Sequence, residues 1–261
     1  MSVHKYSFIN AKKRFYLSRL LFIVLLTFSL LCNAKTLTAK SWLLSDINGT
    51  IISSQNVNEI LPIASITKLI TAIVVIDAKQ DLTEILTLTT ELKDKLPRKN
   101  QKTTRKDLIE MALVSSDNRA ALTLCQNYIG GLNACIEAIN NKAIEIGMYN
   151  TKIVEPTGLD KDNVSTAKDL MLLVKETRNY PLISLSKQYR TKVLINDKWV
   201  DYTNTNPLTE KHTNIQISKT GWTFPAGGCI VMLTDDKILV ILGSRSTRTR
   251  IQEAEQILNL K

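Results

Sequence analysis

A chain of 261 residues that is 44% hydrophobic and 22% charged is too apolar for an extended disordered segment and long enough for one large domain with a real core. Its formal net charge of +10 is uneven: residues 1–34 hold five basic and no acidic residues, so residues 35–261 hold 29 basic against 24 acidic, a net of +5. That balance suits an anionic polymer. Only two histidines, His4 and His212, are present and there is no Cys-x-x-Cys pair, so a zinc site or a Ser-His-Asp triad would rest on a single ring; no metal and no organic cofactor is expected.

The first element is an export signal. Lys5, Lys12, Lys13, Arg14 and Arg19 precede an apolar run over residues 20–31, and Cys32-Asn33-Ala34 closes it. The run is shorter than the roughly 20 residues that cross a bilayer as a helix. Cleavage near Ala34 is therefore expected rather than a retained anchor, which leaves residues 35–261 as a single domain. Cys32 could mark a lipoprotein, but Leu31 stands where such signals carry a small residue. Export makes nucleic acid a poor partner.

Trp42-Leu43-Leu44 and Ile51-Ile52 flank Asn48-Gly49, a hairpin signal. From Ser65 to about Ala78 the apolar residues are dense enough for a helix buried nearly all round. Thr103 or Thr104, with Asp107, opens a second helix that ends near Ser115-Ser116; Ser165 or Thr166, with Asp169, opens a third, before Pro181. Residues 189–202 form a hairpin around Asn196-Asp197. Residues 216–222, 229–234 and 238–243 are three strands, and a last amphipathic helix follows Ser246. This order, strands, then helices, then strands and a helix, predicts an α+β fold with a central antiparallel sheet built from both chain ends and helices on its faces. Of the three remaining cysteines, Cys125 and Cys135 could close a helix-loop-helix across Gly130-Gly131 or remain two buried thiols, and Cys229 is the odd one.

Ser65-Ile66-Thr67-Lys68 places a hydroxyl and an amine one helical turn apart. A lysine can act there as the base, provided burial or nearby positive charge removes its proton. The pattern is weak alone: Ser2/Lys5, Ser165/Lys168 and Ser184/Lys187 share it, and solvated helix faces produce it by chance. Ser116-Asp117-Asn118 sits where a turn can present Ser116 and Asn118 together, although Ser54-Gln55-Asn56 has the same outline. Lys219-Thr220-Gly221 lies on a predicted strand, where a glycine admits close approach of a ligand backbone.

The conjunction of the three motifs, in this order and in helix, loop and strand contexts, is that of serine β-lactamases and penicillin-binding enzymes. With Pro62-Ile63-Ala64-Ser65, Glu155-Pro156-Thr157-Gly158-Leu159, Asn163-Val164-Ser165-Thr166-Ala167 and Lys219-Thr220-Gly221-Trp222-Thr223, the chain resembles the D-alanyl-D-alanine carboxypeptidases among the low-molecular-mass penicillin-binding proteins. Within them it most resembles the short penicillin-binding protein 7 type, whose members act as D,D-endopeptidases on wall crosslinks. The end of the chain after one short helix leaves no room for the extra C-terminal β domain and anchor of longer members, which suggests a soluble periplasmic enzyme.

The resemblance implies a β-lactamase/DD-peptidase-like fold and a set of roles. Ser65, Lys68 and Ser116 would be catalytic, as nucleophile, base and proton relay. Asn118, Lys219, Thr220, Gly221 and Trp222 would bind substrate, with Lys219 keeping Lys68 neutral by repulsion and the Ser65 and Trp222 N–H groups forming an oxyanion hole. Peptidoglycan stem or crosslinked peptides would be the substrates and β-lactams the inhibitors. Three rivals stand beside it: a class A-like β-lactamase, suggested by Glu155-Pro156, an inactive wall-binding relative, and a membrane-tethered scaffold. Trp222, Thr223 and Phe224 either line the substrate groove or pack in the interior. Endopeptidase and carboxypeptidase action share one acylation chemistry, and oligomeric state leaves no mark in the residues.

Overall fold

The computed structural model describes residues 37–92 and 100–260; the expected export signal, residues 1–34, lies outside them. Residues 38–261 form one compact unit. Strands β1 (Ser41–Asp46) and β2 (Ile51–Gln55) are joined by a turn in which the Asp46 carboxylate accepts from the N–H groups of Asn48 and Thr50. After β3 (Leu61–Pro62) the chain makes one 3-10 turn, Ala64–Ile66, and enters α1 (Thr67–Asp77), buried from Thr67 to Val75. The short ribbon of β4 (Ile85–Thr87) and β5 (Lys102–Thr104) precedes α2 (Arg105–Val114), whose first turn is capped by Thr104 Oγ1 accepting from the Asp107 N–H.

Next come α3 (Asn118–Gln126), capped by the Asp117 carboxylate, and α4 (Gly131–Glu145). Strand β6 (Val164–Ser165) pairs back with β3, and α5 (Ala167–Glu176) starts at the Thr166 cap. Two 3-10 stretches, Thr177–Asn179 and Pro181–Lys187, lead to the hairpin of β7 (Arg190–Ile195) and β8 (Lys198–Thr203). Its Asn196 and Asp197 have φ of +47° and +61°, as a two-residue type I′ turn requires. One turn of helix, α6 (Leu208–Lys211), precedes β9 (Ile215–Thr223), β10 (Gly227–Thr234), β11 (Lys237–Ser244) and the last helix, α7 (Thr247–Leu258), capped by Ser246.

The central sheet runs β2-β1-β11-β10-β9, antiparallel throughout. Strand alternation divides its side chains between two cores. Cys229, Val231 and Leu233 of β10 with Ile238, Val240 and Leu242 of β11 face α1, α2 and α5; Ile230, Met232, Leu239 and Ile241 face Ala254 and Leu258 of α7. The α+β architecture therefore has helices on both faces, as its residue pattern predicts. Among the described residues no helix is long and apolar enough to cross a membrane.

Two elements depart from expectation. The helix predicted to begin at Ser65 begins at Thr67, with Ser65 inside the 3-10 turn, because Ala64 at φ +47° bends the entering chain. Helices α3 and α4 were implied only by the cysteine pair. Cys125 of α3 and Cys135 of α4 are joined by a disulfide with Cα atoms 5.3 Å apart, and Cys229 is a buried free thiol. Breaking the bond in a Cys125→Ala/Cys135→Ala variant is expected to cost about 2–3 kcal/mol, the loop-closure contribution of so short a loop. Urea unfolding of the variant and the parent measures it.

Candidate active site

Four segments converge on Ser65. The 3-10 turn carries the serine, α1 carries Lys68, the turn into α3 carries Ser116 with Asn118 as the first residue of that helix, and β9 carries Lys219 to Trp222. Three residues per turn bring Ser65 and Lys68 onto one line, as an α-helical start would have done. Lys68, wholly buried, donates from Nζ to Ser65 Oγ at 3.0 Å, to Asn118 Oδ1 at 2.7 Å and to the Thr157 carbonyl at 2.5 Å. Burial draws its pKa down to about 7, against the pull of Glu155 and Asp117, which favour the charged form. The rival Ser-x-x-Lys patterns among the described residues lack this environment: Lys168 and Lys187 are exposed.

Three acceptors around one nitrogen have a consequence. In the neutral amine two N–H groups remain, and Asn118 Oδ1 and the Thr157 carbonyl can take them, which turns the lone pair toward Ser65 Oγ.

A second lysine-serine pair lies alongside. Lys219, also buried, donates to Ser116 Oγ at 2.9 Å and to the Thr220 carbonyl at 2.9 Å. Its pKa is pushed well down by burial first, then by Lys68 and Arg250. Burial is the leading cause at both lysines, and the like-charge repulsion between the two buried amines, which disfavours protonation of either, comes after it. Ser116 itself adopts φ +61°, which aims its side chain at Lys219 from a backbone region that non-glycine residues rarely occupy.

Gly221 faces the serine. A Cβ built there would lie 2.7 Å from the Ser65 nitrogen and 2.9 Å from Ala64 Cβ, so only glycine leaves room in front of that N–H. Thr220 Oγ1 donates to Thr205 Oγ1 at 2.6 Å, adding a second hydroxyl at this end of β9. Beneath Gly221, its register partner Cys229 is inert, the thiol pushed up to about 11 by burial. Trp222 is half exposed and Phe224 is 92% exposed, so neither aromatic is core packing. Among the described residues no group of His, Cys, Asp and Glu could hold a metal ion.

Sequence motifs missed several members of this constellation. The Thr157 carbonyl is backbone and has no side-chain signature. Thr205 is 15 residues from Thr220, and buried Arg250 of α7, which donates to the Gly221 carbonyl at 2.5 Å, is 29 residues from it. Glu155 stood only in a motif resemblance, yet it organises the loop that supplies the carbonyl.

A family model described as D-alanyl-D-alanine carboxypeptidase matches residues 30–245. A D-alanyl-D-alanine endopeptidase of Pseudomonas aeruginosa is 44% identical over 209 residues, 76% of this chain and 67% of its own length. One from Escherichia coli is 43% identical over 205 residues, 74% of this chain and 66% of its own. The chain thus spans about two thirds of the length of these curated relatives. Penicillin-binding protein D2 of Listeria monocytogenes, solved in an ampicillin-bound form, is 27% identical, with a TM-score of 0.78 over 86% of this chain and 97% of that one. A variant of the Streptomyces K15 DD-transpeptidase, 21% identical with a TM-score of 0.76, shares the fold. With the family match running through all four segments that meet at Ser65, the chain belongs to the D-alanyl-D-alanine carboxypeptidase family.

Proposed function

We propose that this chain is a serine D-Ala-D-Ala peptidase that cuts peptidoglycan peptides through an acyl-enzyme on Ser65 and is acylated by β-lactams at the same atom. The observation that carries the reading is the buried Lys68 amine, with two acceptors turning its lone pair toward Ser65 Oγ. Lys68 takes the serine proton as Oγ bonds to the carbonyl carbon. The C–N bond then breaks, and Ser116, held by Lys219, passes a proton to the leaving amine. Water hydrolyses the ester and restores the Ser65 hydroxyl.

The remaining roles follow from position. The Ser65 and Trp222 N–H groups receive the oxyanion, each donor contributing about 3 kcal/mol, and Gly221 keeps the space before them open. Asn118, whose Oδ1 faces Lys68, has its amide N–H groups for a substrate carbonyl. Thr220 holds the far end of the acyl donor. The names of the two endopeptidase relatives favour crosslinked peptides over free stem ends as substrates. The reading includes export, removal of a leader near Ala34 and action in the periplasm by residues 35–261.

Because Lys68 must be neutral to act, acylation is expected to fall as pH drops through about 7 and to level off above it. A pH series of acylation rates checks this; a rate flat across that range would remove Lys68 as the base.

A β-lactamase would need a carboxylate free to activate water, and Glu155 is the candidate. Its Oε2 accepts from the N–H and hydroxyl of Thr157, and its Oε1 from the N–H groups of Gly158 and Asp160 and from Asn163 Nδ2. Five donors fill about four lone-pair sites. This disfavours the β-lactamase reading.

The test is intact-protein mass after addition of benzylpenicillin, followed over hours, with crosslinked and linear wall peptides supplied in parallel. A persistent adduct mapping to Ser65, with cleavage of the crosslinked peptide, is the expected result. Rapid consumption of the drug would return the β-lactamase reading, and no adduct would mean a relative without chemistry.

A further inference from the structure

The loop over residues 155–160 packs directly on the turn that carries the nucleophile. Gly158 lies so close to Ala64 that a Cβ there would fall 2.0 Å from the Ala64 carbonyl oxygen and 2.8 Å from the Ser65 nitrogen. The Pro156 carbonyl accepts from Thr71 Oγ1 at 3.0 Å, and Asn163 Nδ2 donates to Thr67 Oγ1 at 3.2 Å. In the middle of this loop is the Glu155 carboxylate, drawing in the N–H groups of Thr157 (2.8 Å), Gly158 (2.5 Å) and Asp160 (3.3 Å). Asn163, just past the loop, holds Glu155 in place by donating to its carbonyl at 2.8 Å and to its Oε1 at 3.0 Å. N–H groups gathered inward on one carboxylate leave the Thr157 carbonyl directed outward, against Lys68 Nζ.

We propose that Glu155 is a positioning residue for the acylation step: its carboxylate folds the 155–160 loop so that the Thr157 carbonyl aims the Lys68 amine at Ser65 Oγ. The proposal rests on the peptidase reading above and names a component that the three motifs do not contain. Glu155 touches no reacting atom. It acts through a backbone carbonyl, which no substitution can remove directly, and it also sets the charge that Lys68 experiences.

The groups facing Lys68 fix the direction of the effect. They are Glu155 from the loop, Asp117 from the start of α3 and Lys219 from β9, the last next to Arg250 of α7. Glu155 and Asp117 favour the ammonium, as does the Thr157 carbonyl that accepts from it. Removing the Glu155 charge and loosening that carbonyl act in the same sense, letting the amine lose its proton at lower pH. A merely structural glutamate would lower the rate equally at every pH.

The experiment is the second-order rate of acylation by a fluorescent penicillin, from about pH 5 to 9, for the full chain and its E155Q and E155D variants, with thermal unfolding alongside. In E155Q the acid limb is expected to move down by about one pH unit and the plateau to fall about tenfold to a hundredfold as the lone pair loses its aim. E155D keeps the charge but cannot reach both Thr157 and Gly158, so its limb should move less than that of E155Q while its plateau falls. If E155Q does not fold, the plateau of E155D decides. A folded E155Q with an unmoved acid limb, or a folded E155D with wild-type rates, overturns the proposal. An unacylated wild-type chain would instead sink the peptidase reading.

Discussion

Lys68→Ala is expected to slow acylation by penicillin about 10³- to 10⁴-fold, the full contribution of a well-placed general base. The side chain is wholly buried and bonded to Ser65, Asn118 and Thr157, while the second buried amine, Lys219, is bonded to Ser116 and not to Ser65. Ser65→Ala should show no adduct at all, and the double variant should look the same, since two groups that act as a unit are not additive. Removal of the lysine leaves a small cavity lined by acceptors. A primary amine such as methylamine should therefore restore part of the rate to Lys68→Ala and none to Ser65→Ala. Stopped-flow fluorescence with a labelled penicillin measures both effects, and a Lys68→Ala chain that acylates within tenfold of wild type would dismiss the assignment.

Gly221→Ala should be nearly as damaging for a different reason. The new methyl would meet the Ser65 nitrogen at 2.7 Å, Ala64 Cβ at 2.9 Å and the Ile63 carbonyl at 3.2 Å, two of them backbone atoms that cannot step aside as a flexible side chain would. The strand must move outward, taking the Trp222 N–H with it, or the 3-10 turn must shift. Either movement spoils one of the two oxyanion donors, so a loss of about 10²- to 10³-fold in acylation is expected, together with about 1–3 kcal/mol of stability from overpacking. Asn118 and the Thr157 carbonyl, which hold Lys68, lie outside both segments, so the acid limb should stay where wild type has it. A shifted limb would mean that the damage has spread to the base.

These expectations depend unequally on what the residues disclose by themselves. Caps are local, so Thr104 with Asp107, Thr166 with Asp169, and the helix after Ser246 are legible in a few neighbouring residues. The positive φ of Asn196 and Asp197 follows from turn chemistry, and the alternating strands near the C-terminus follow from period-2 burial. Ser65, Lys68, Ser116, Asn118 and Lys219 were legible as three motifs because each motif is contiguous. What motifs do not contain is depth. That Lys68 owes its lowered pKa first to burial is a property of α1 being enclosed on all sides, and the motif that contains Lys219 shows a second positive charge but not the depth at which both amines sit. Helices α3 and α4 carry no Ser or Thr cap followed three residues later by an acidic side chain: α3 is capped by Asp117 and α4 starts at Gly130-Gly131, so no capping box announces them.

The pairing of β1 with β11, Ser41 opposite Leu242, has a consequence for when this chain becomes reactive. β1 pairs early with β2 but finds its other neighbour, β11, only after nearly the whole domain has been made, so this loop closure comes late. Lys219 lies on β9, an edge strand that reaches the sheet through β10 and β11. A nascent or truncated chain would already contain Ser65 and Lys68 but would lack the frame that aligns them with Ser116 and Gly221. Hydrolytic competence is thereby tied to completed folding, and an unfinished copy is a harmless one.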